Sequence, residues 1–160
     1  MKKSYKKGSK ISYPNSYILA VPQVEWQEEK NVRPEVSYEA EKAVTTGKWE
    51  PVTNRKRDGV KVAPSGKHTI TWTISPGLAS VYALRFKYMN MSDKPIIAKM
   101  QILSSDDRIM REGELQFPSA PEKWRMISTT TGAYINAGHY KVIISGDNLE
   151  GLVFDALDMQ

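Results

Sequence analysis

The chain contains no cysteine, and this absence excludes disulfide bonds, thiolate metal ligands and a cysteine nucleophile. Histidine is scarce: His68 and His139 stand far apart, and neither has metal-ligand spacing around it. Residues 18–21 form a short apolar run that ends at Pro22. This run is too short for the core of a signal peptide and far too short to cross a bilayer. The sequence therefore predicts no membrane span.

The sequence also lacks the motifs of common catalytic sites. It has no Gly-x-Ser-x-Gly elbow for a serine nucleophile and no glycine-rich loop for phosphate binding. Glycoside hydrolysis needs two carboxylic acids that face each other across a cleft. The acidic residues at 106–107 and 112–114 fall in predicted turns or strand edges, so we interpret them as solvated surface acids. We predict that this chain has no catalytic residues and is not itself an enzyme.

Positive charge is concentrated at the start of the sequence. The net charge is +5, and the first ten residues contain five lysines, namely Lys2, Lys3, Lys6, Lys7 and Lys10. Such a segment would suit an anionic partner such as nucleic acid or a membrane surface. Glycine and serine are interleaved with the lysines and no amphipathic helix follows, which favours a solvated tail or linker. We therefore predict no nucleic-acid partner.

The length of 160 residues suits one domain with a full hydrophobic core rather than two. Residues 1–34 are predicted to be an N-terminal extension or linker, with an edge strand near 17–21 where prolines flank an apolar run. A polar segment followed by Pro34 marks the predicted boundary. Residues 35–160 are predicted to form the domain.

Apolar and polar residues alternate in several segments. Residues 68–74 place three apolar side chains on one side and three threonines on the other, and residues 81–88 place four large residues on one face. Turn signals recur about every ten residues, including the polar segment 45–57 and Asp58–Gly59, and no segment has a helical period. The sequence predicts an all-β fold, a two-sheet antiparallel β-sandwich.

Four segments follow one another in an order that resembles a known group of proteins. They are the acidic motif Tyr38-Glu39-Ala40-Glu41, the aromatic-rich strand 81–90, the loop and tryptophan strand 117–125 that leads to the turn and strand 135–142, and the terminal strand 154–157. The order is similar to that of family 6 and family 35 carbohydrate-binding modules and their malectin-like relatives. The resemblance covers about residues 36–160, and it implies a galactose-binding-like jelly roll.

The resemblance also implies a structural calcium ion, because calcium ties the start of the domain to its last strand in those modules. Carried over by position, the ligands are Glu39, Glu41 and Asp155. Calcium is a hard cation that takes about six to eight oxygen ligands, and strand alternation predicts that the two glutamates face the same side. The alternative is that these are ordinary exposed carboxylates, neutralised by Lys42 or Arg33.

Binding modules hold sugars by stacking apolar ring faces on flat aromatic side chains, while amide and charged groups bond the hydroxyls. The resemblance implies a site on loops at one end of the sandwich or on a concave sheet face. Trp124 matches the late tryptophan, and Asn148 precedes the last strand, although further from Asp155 than in the family. The early loop lacks the expected Gly-Gly-Tyr pattern, and Trp49 and Tyr134 are loop aromatics that could substitute. For each aromatic residue, the alternative is a position that caps the core.

We interpret the chain as a non-catalytic carbohydrate-binding module that targets an attached enzyme to a polysaccharide or oligosaccharide. The resemblance implies attachment to the catalytic domain of a bacterial glycoside hydrolase. The expected parent is a β-galactosidase-like enzyme with the module at its C-terminal end, in a secreted, periplasmic or cell-surface location. The alternative is a structural spacer, an accessory β-sandwich that packs on a catalytic domain and binds no sugar. The departures in the early loop favour this alternative.

Overall fold

The computed structural model of the protein describes residues 35–54, 57–64 and 66–160. The predicted extension at 1–34, with its edge strand, lies outside these residues. Apart from one 3-10 turn at Ala40–Lys42, the regular structure of the described part consists of strands. Within this part, no helix is both long enough and apolar enough to cross a lipid bilayer.

The described residues form a two-sheet antiparallel β-sandwich, and this confirms the predicted fold class. The strands are β1 (Val36–Glu39), β2 (Val44–Thr46), β3 (Trp49–Asn54), β4 (Arg57–Val62), β5 (His68–Ile74), β6 (Ala83–Asn90), β7 (Ile96–Ser104), β8 (Ile109–Phe117), β9 (Ala120–Thr130), β10 (Tyr140–Gly146) and β11 (Leu152–Met159). The six-stranded sheet has the order β3-β4-β11-β6-β9, with β1 also paired to β11. The five-stranded sheet has the order β2-β5-β10-β7-β8.

The core lies between the sheets and is rich in aromatic side chains. Trp72, Phe117 and Phe154 are at most 1% exposed. The ring of Phe154 meets the other two edge to face, with centroids 5.6 Å from Trp72 and 5.5 Å from Phe117. Burial of each such side chain stabilises the fold by about 1.5–3 kcal/mol before conformational entropy is counted. The alternation predicted for residues 68–74 and 81–88 is confirmed, because the large residues of both segments face this core.

Asp58 and Gly59 lie inside β4, so the turn predicted at these residues is wrong. β4 pairs with β3, where Val52 stands opposite Gly59. The polar segment 45–57 therefore supplies strands where the sequence indicated turns. Glycine at 59 has a packing reason instead: a Cβ atom there would lie 2.6 Å from the carbonyl oxygen of Phe154 on β11. The close approach of β4 to β11 thus requires a residue without a side chain.

Glu41 lies in the 3-10 turn rather than on a strand, so the strand alternation predicted for Glu39 and Glu41 is wrong. The preceding strand β1 pairs with β11 in the six-stranded sheet, whereas the following strand β2 pairs with β5 in the five-stranded sheet. The turn carries the chain from one sheet to the other. Its first residue, Ala40, is 1% exposed and packs into the core between them.

The register of β5 and β10 defines two ends of the sandwich. His68 pairs with Gly146 at one end, and Ile74 pairs with Tyr140 at the other. We name these the His68 end and the Ile74 end. A seven-residue strand spans roughly 20 Å. Side chains at opposite ends therefore cannot contact the same sugar unit.

Candidate functional site

An acidic cavity brings together the three predicted metal ligands. Glu39, Glu41 and Asp155 line this cavity, whose volume is about 270 Å³. Asp58 adds a fourth carboxylate, and Lys87 also lines the cavity. The four acids come from four elements, namely β1, the 3-10 turn, β4 and β11. On β11, Asp155 occupies an irregularity in the pairing with β6, which takes it out of the regular alternation of the strand.

The acidic cavity concentrates negative charge. Partial burial raises the pKa of Glu41 above its ordinary value, and the nearby carboxylates of Asp155, Glu39 and Asp58 raise it further. A hydrogen bond from the backbone of Glu41 to its own carboxylate opposes this rise. Like charges close together disfavour the ionised form of each. A cation placed among these oxygens would relieve the repulsion.

The lysines near the acidic cavity do not balance its charge. The Nζ atom of Lys42 lies 3.8 Å from the carboxylate of Glu39, but both side chains are more than half exposed. Such a surface pair stabilises weakly. Lys87 forms an ion pair with Asp158 instead: its Nζ atom lies 3.0 Å from a carboxylate oxygen of Asp158, which is 1% exposed. Of the two neutralising residues considered from the sequence, Lys42 thus contacts one acid, and Arg33 lies outside the described residues.

The donor chemistry of the acidic cavity fits calcium, because carboxylate oxygens from four elements line one space. The arrangement is open, however. Among the residues that the structure describes, no group of three or more acidic or histidine side chains is arranged to hold a metal ion. Calcium at Glu39, Glu41 and Asp155 therefore stays a prediction.

A second, apolar cavity lies on the outer side of the six-stranded sheet, with a volume of about 380 Å³. Its floor is formed by Met89 on β6 and Val153 on β11, which pair directly. Their neighbours along the strands, Tyr88 and Phe154, face the core, so these two side chains face outward. Each is nevertheless 1% exposed, and neither belongs to the main core cluster. The outer sheet surface thus has its own buried apolar floor.

The rim of the apolar cavity carries charged residues, and it includes an unusual backbone conformation. Lys61, Glu122 and Glu150 line the cavity beside its apolar floor. Glu122 has a φ of 55°, in the left-handed region that residues other than glycine rarely adopt. The backbone N–H of Glu122 donates to the sulfur of Met91 at 3.4 Å. Such conformations cost roughly 1–3 kcal/mol and occur often at ligand sites.

Trp124 lies beside the apolar cavity. Its indole approaches Gly59 so closely that a Cβ there would lie 3.1 Å from the Cη2 atom of the ring. Gly59 stands opposite Val52, which lines the cavity. Trp124 lies on β9 and Gly59 on β4, and two strands, β6 and β11, separate them in the sheet. The indole therefore extends across the outer surface of the sheet. The half-buried ring of Trp124 is therefore a flat aromatic surface at the cavity's side.

The other predicted sugar ligands are dispersed. Trp49 packs against the core, with ring centroids 6.3 Å from Phe154 and 5.8 Å from His68, and its indole N–H donates to the carbonyl of Thr46 at 2.9 Å. This is the core-capping position that the sequence left open. Tyr134 is 75% exposed and adjoins the bridge between Ser80 and Ile135.

Position in the sandwich separates Tyr134 from the other aromatic candidates. The bridge beside it joins the loop before β6 to the loop before β10. Because β10 begins at the Ile74 end, the bridge lies at that end. Asn148 is exposed and follows β10 at the His68 end, where it lines a smaller cavity with His68 and Glu150. The start of β9 also lies at the His68 end, because Ala120 pairs with Asn90, the last residue of β6. Trp124 and Asn148 therefore lie near the same end, whereas Trp49 packs against the core and Tyr134 lies at the opposite end.

Sequence reasoning missed several residues that line these cavities. Asp58 was interpreted as part of a turn, although it lies on β4 within the acidic cavity. Met89 continues the alternation of β6 onto the outer face, and an apolar residue there was an available signal. His68 likewise stands at an inward position of β5, where a polar residue is unusual. Lys61 and Glu122 carried no signal beyond their charge.

No protein-family model matches the chain, and no curated protein matches it. Solved structures do match. A family 35 carbohydrate-binding module from Clostridium thermocellum is 20% identical, with a TM-score of 0.66 over 79% of this chain and 98% of that one. The C-terminal family 6 module of a marine laminarinase from Zobellia galactanivorans is 15% identical, with a TM-score of 0.61 over 79% of this chain and 99% of that one.

A third structure is a carbohydrate-binding module from Cellvibrio mixtus lichenase 5A in complex with cellotriose. It is 14% identical, with a TM-score of 0.57 over 78% of this chain and 95% of that one. Likeness at these identities concerns the fold. The described chain thus has the β-sandwich fold of family 35 and family 6 carbohydrate-binding modules.

Proposed function

We propose that the chain is a non-catalytic carbohydrate-binding module that targets an attached glycoside hydrolase to polysaccharide. The observation that carries this proposal is the indole of Trp124 beside the apolar cavity. A flat aromatic ring and an apolar floor suit the apolar face of a sugar ring, and the charged rim suits its hydroxyls. The fold shared with family 35 and family 6 modules supports the same function.

The mechanism is targeting by effective concentration. Binding of the module to polysaccharide raises the local concentration of the attached enzyme at its substrate. Two of the similar structures are modules of a laminarinase and a lichenase, which supports attachment to a catalytic domain here. We extend the proposal to a β-galactosidase-like parent, a malectin-like relationship and a secreted, periplasmic or cell-surface location, all of which rest on the resemblance of the sequence.

Calcium is proposed as a structural ion. Glu39, Glu41 and Asp155 would hold it, and Asp58 is placed to contribute. The ion would supply charge neutralisation, and no chemical step would depend on it. Because these acids come from four elements, a shared ion would fasten the start of the domain to β4 and β11.

Affinity gel electrophoresis against galactan, xylan and pectin tests the function. The unmodified chain should be retarded by at least one of these polysaccharides. Trp124→Ala should weaken that retardation by about tenfold, because it removes the aromatic platform. Tyr134→Ala is the matched control, since it removes an exposed aromatic residue at the opposite end, and it should bind normally. A folded chain that no glycan retards would contradict the proposal.

The second candidate function is the structural spacer without sugar binding. It is favoured by exposed apolar residues at the Ile74 end: Leu78 is 67% exposed, Val81 37% and Tyr134 75%. The bridge between Ser80 and Ile135 brings the two loops that carry them side by side. Such a patch suits contact with another domain. Absence of glycan binding in the electrophoresis would favour this function.

A further inference from the structure

A third cavity lies at the His68 end, next to the apolar cavity. His68, Asn148 and Glu150 line it, together with Gly66, Asp147 and Leu149, and its volume is about 270 Å³. Glu150 lines the apolar cavity as well. The two cavities therefore flank one loop, residues 147–151, and share one of its side chains. We name the third space the His68 cavity.

His68 is the unusual residue of this cavity. It is 1% exposed, and neither of its ring nitrogens has a hydrogen-bond partner among the described residues. An imidazole always carries at least one N–H donor, and the neutral ring also carries one acceptor. Leaving these groups buried and unpaired is unfavourable, so a buried polar group of this kind indicates a bound water or ligand group. Its position at the cavity wall gives such a group a place to bind.

The loop between the two cavities is held in place on both sides. Leu149 is 1% exposed, and its carbonyl accepts a hydrogen bond from the N–H of Leu152 at 3.0 Å. On the other side, the carbonyl of Gly151 accepts one from the N–H of Met91 at 2.8 Å. Gly146 leaves the space that Leu149 fills, since a Cβ at 146 would lie 2.7 Å from its side chain. The loop is therefore already ordered before a ligand binds, and this lowers the conformational entropy that the loop loses on binding.

The charges of the His68 cavity restrict its ligand. Asp147 and Glu150 place carboxylates at its wall, which disfavours an anionic ligand. A metal ion is also disfavoured, because no group of acidic and histidine side chains among the described residues is arranged to hold one. A group that both donates and accepts hydrogen bonds fits the two ring nitrogens of His68 best. A sugar hydroxyl has this property, and so does water.

We propose that the His68 cavity is a second saccharide subsite, so that the chain binds a neutral oligosaccharide running across loop 147–151 rather than a single sugar unit. This inference rests on the proposed function, because it assigns one unit of the same ligand to the apolar cavity beside Trp124. The ring of His68 bonds a hydroxyl of the next unit, and the amide of Asn148 is placed to bond another. Affinity therefore rises with chain length.

Isothermal titration with oligosaccharides of increasing length, prepared from a polysaccharide that the chain binds, tests the proposal. The affinity should rise by about tenfold once the oligosaccharide reaches both cavities. His68→Phe should remove this rise while leaving the affinity for the shortest binding unit unchanged. His139→Gln is the matched control: His139 is exposed, lies near the Ile74 end, and its Nδ1 lies 2.9 Å from the hydroxyl of Ser75. It should retain the full length dependence.

A second measurement does not depend on the folding of a variant. The chain has two histidines, so the ring nitrogen signals of His68 can be followed by NMR in the unmodified protein and assigned with His139→Gln. Addition of the longer oligosaccharide should shift the His68 signals, and the shortest unit should leave them in place. Affinity independent of length, or unmoved His68 signals at saturation, would overturn the proposal. Failure of every saccharide to bind would instead overturn the proposed function, and this inference with it.

Discussion

The acidic cavity and the apolar cavity are built from the same strands but differ in what they can hold. In the acidic cavity, β4 contributes Asp58 and β11 contributes Asp155. In the apolar cavity, the same two strands contribute Lys61 and Val153. The acidic cavity gathers carboxylates whose mutual repulsion a cation would relieve. The apolar cavity has a buried floor that needs no ion. Nearby positions of one strand therefore line two cavities of different chemistry.

Gly59 stands between the two cavities along β4. The residue before it, Asp58, faces the acids, and Trp124 covers Gly59 itself. The hydroxyl of Thr53 on β3 donates to the carboxylate of Asp58 at 2.7 Å, which ties Asp58 to the neighbouring strand. Substitutions that change one cavity and leave the other intact can therefore test each cavity separately.

Calcium should have the largest effect, and it should act on stability through the acidic cavity alone. At a concentration about one hundred times its dissociation constant, a bound ion stabilises the folded state by about 2.7 kcal/mol. Thermal unfolding followed by circular dichroism should therefore show a higher Tm with calcium than with a chelator. Asp155→Asn and Asp58→Asn should reduce this difference.

The matched control for calcium is Glu150→Gln, which changes a carboxylate at the rim of the apolar cavity. This variant should keep the full response of the Tm to calcium. A wild-type Tm that does not respond to calcium would show the metal prediction to be wrong. Loss of the response in Glu150→Gln as well would place the ion outside the acidic cavity.

Gly59→Ala should have the next largest effect and should disturb the junction of both cavities. The added Cβ would lie 2.6 Å from the carbonyl oxygen of Phe154 and 3.1 Å from the indole of Trp124. Overpacking of this kind destabilises by about 1–3 kcal/mol. Urea unfolding should give the loss of stability, and tryptophan fluorescence of the folded variant should report the displaced indole.

Gly113→Ala is the control for this substitution. Gly113 also lies within a strand, β8, but a Cβ there would meet nothing within 4 Å. It should leave stability nearly unchanged or raise it by about 0.4–1 kcal/mol through the unfolded chain. Equal losses in the two variants would mean that the contact with Phe154 and Trp124 is not the cause.

The sandwich was predictable because its strongest signals are local. Alternation in β5 and β6 follows from burial of one face, and it needs no knowledge of which strands pair. The acidic motif and Trp124 were identified by their order along the chain. The structure places Trp124 beside a cavity and gathers the acids around one space.

The remaining features depend on long-range contacts that a single sequence does not display. An Asp-Gly pair is a turn signal in isolation, but here both residues lie in β4, which pairs with β3 on one side and β11 on the other. Met89 and Val153 form a floor only because β6 and β11 pair in that register. Tyr134 was grouped with Trp124 by residue type, and the strand directions place it at the other end. Local propensity and residue type therefore identified candidates without locating them.

Glu41→Gln should have the smallest effect, and the sign of that effect separates repulsion from a bound ion. The raised pKa of Glu41 means that the folded state holds its proton more tightly than the unfolded state. In chelator, wild-type stability should therefore fall as the pH rises from the unfolded pKa through the folded one, and it should stay lower above that range. Glu41→Gln lacks this titration, so it should be the more stable protein at about pH 7 and lose that advantage at about pH 4.

Urea unfolding at both pH values measures the difference in stability between the variant and wild type. Calcium at about pH 7 should reverse the sign of this difference, because the wild-type carboxylate then faces a cation instead of Asp155, Glu39 and Asp58 alone. A variant that is less stable than wild type in chelator at about pH 7 would show that burial and the neighbouring carboxylates do not together disfavour the charged form of Glu41, and the contrast between the two cavities would lose its electrostatic basis.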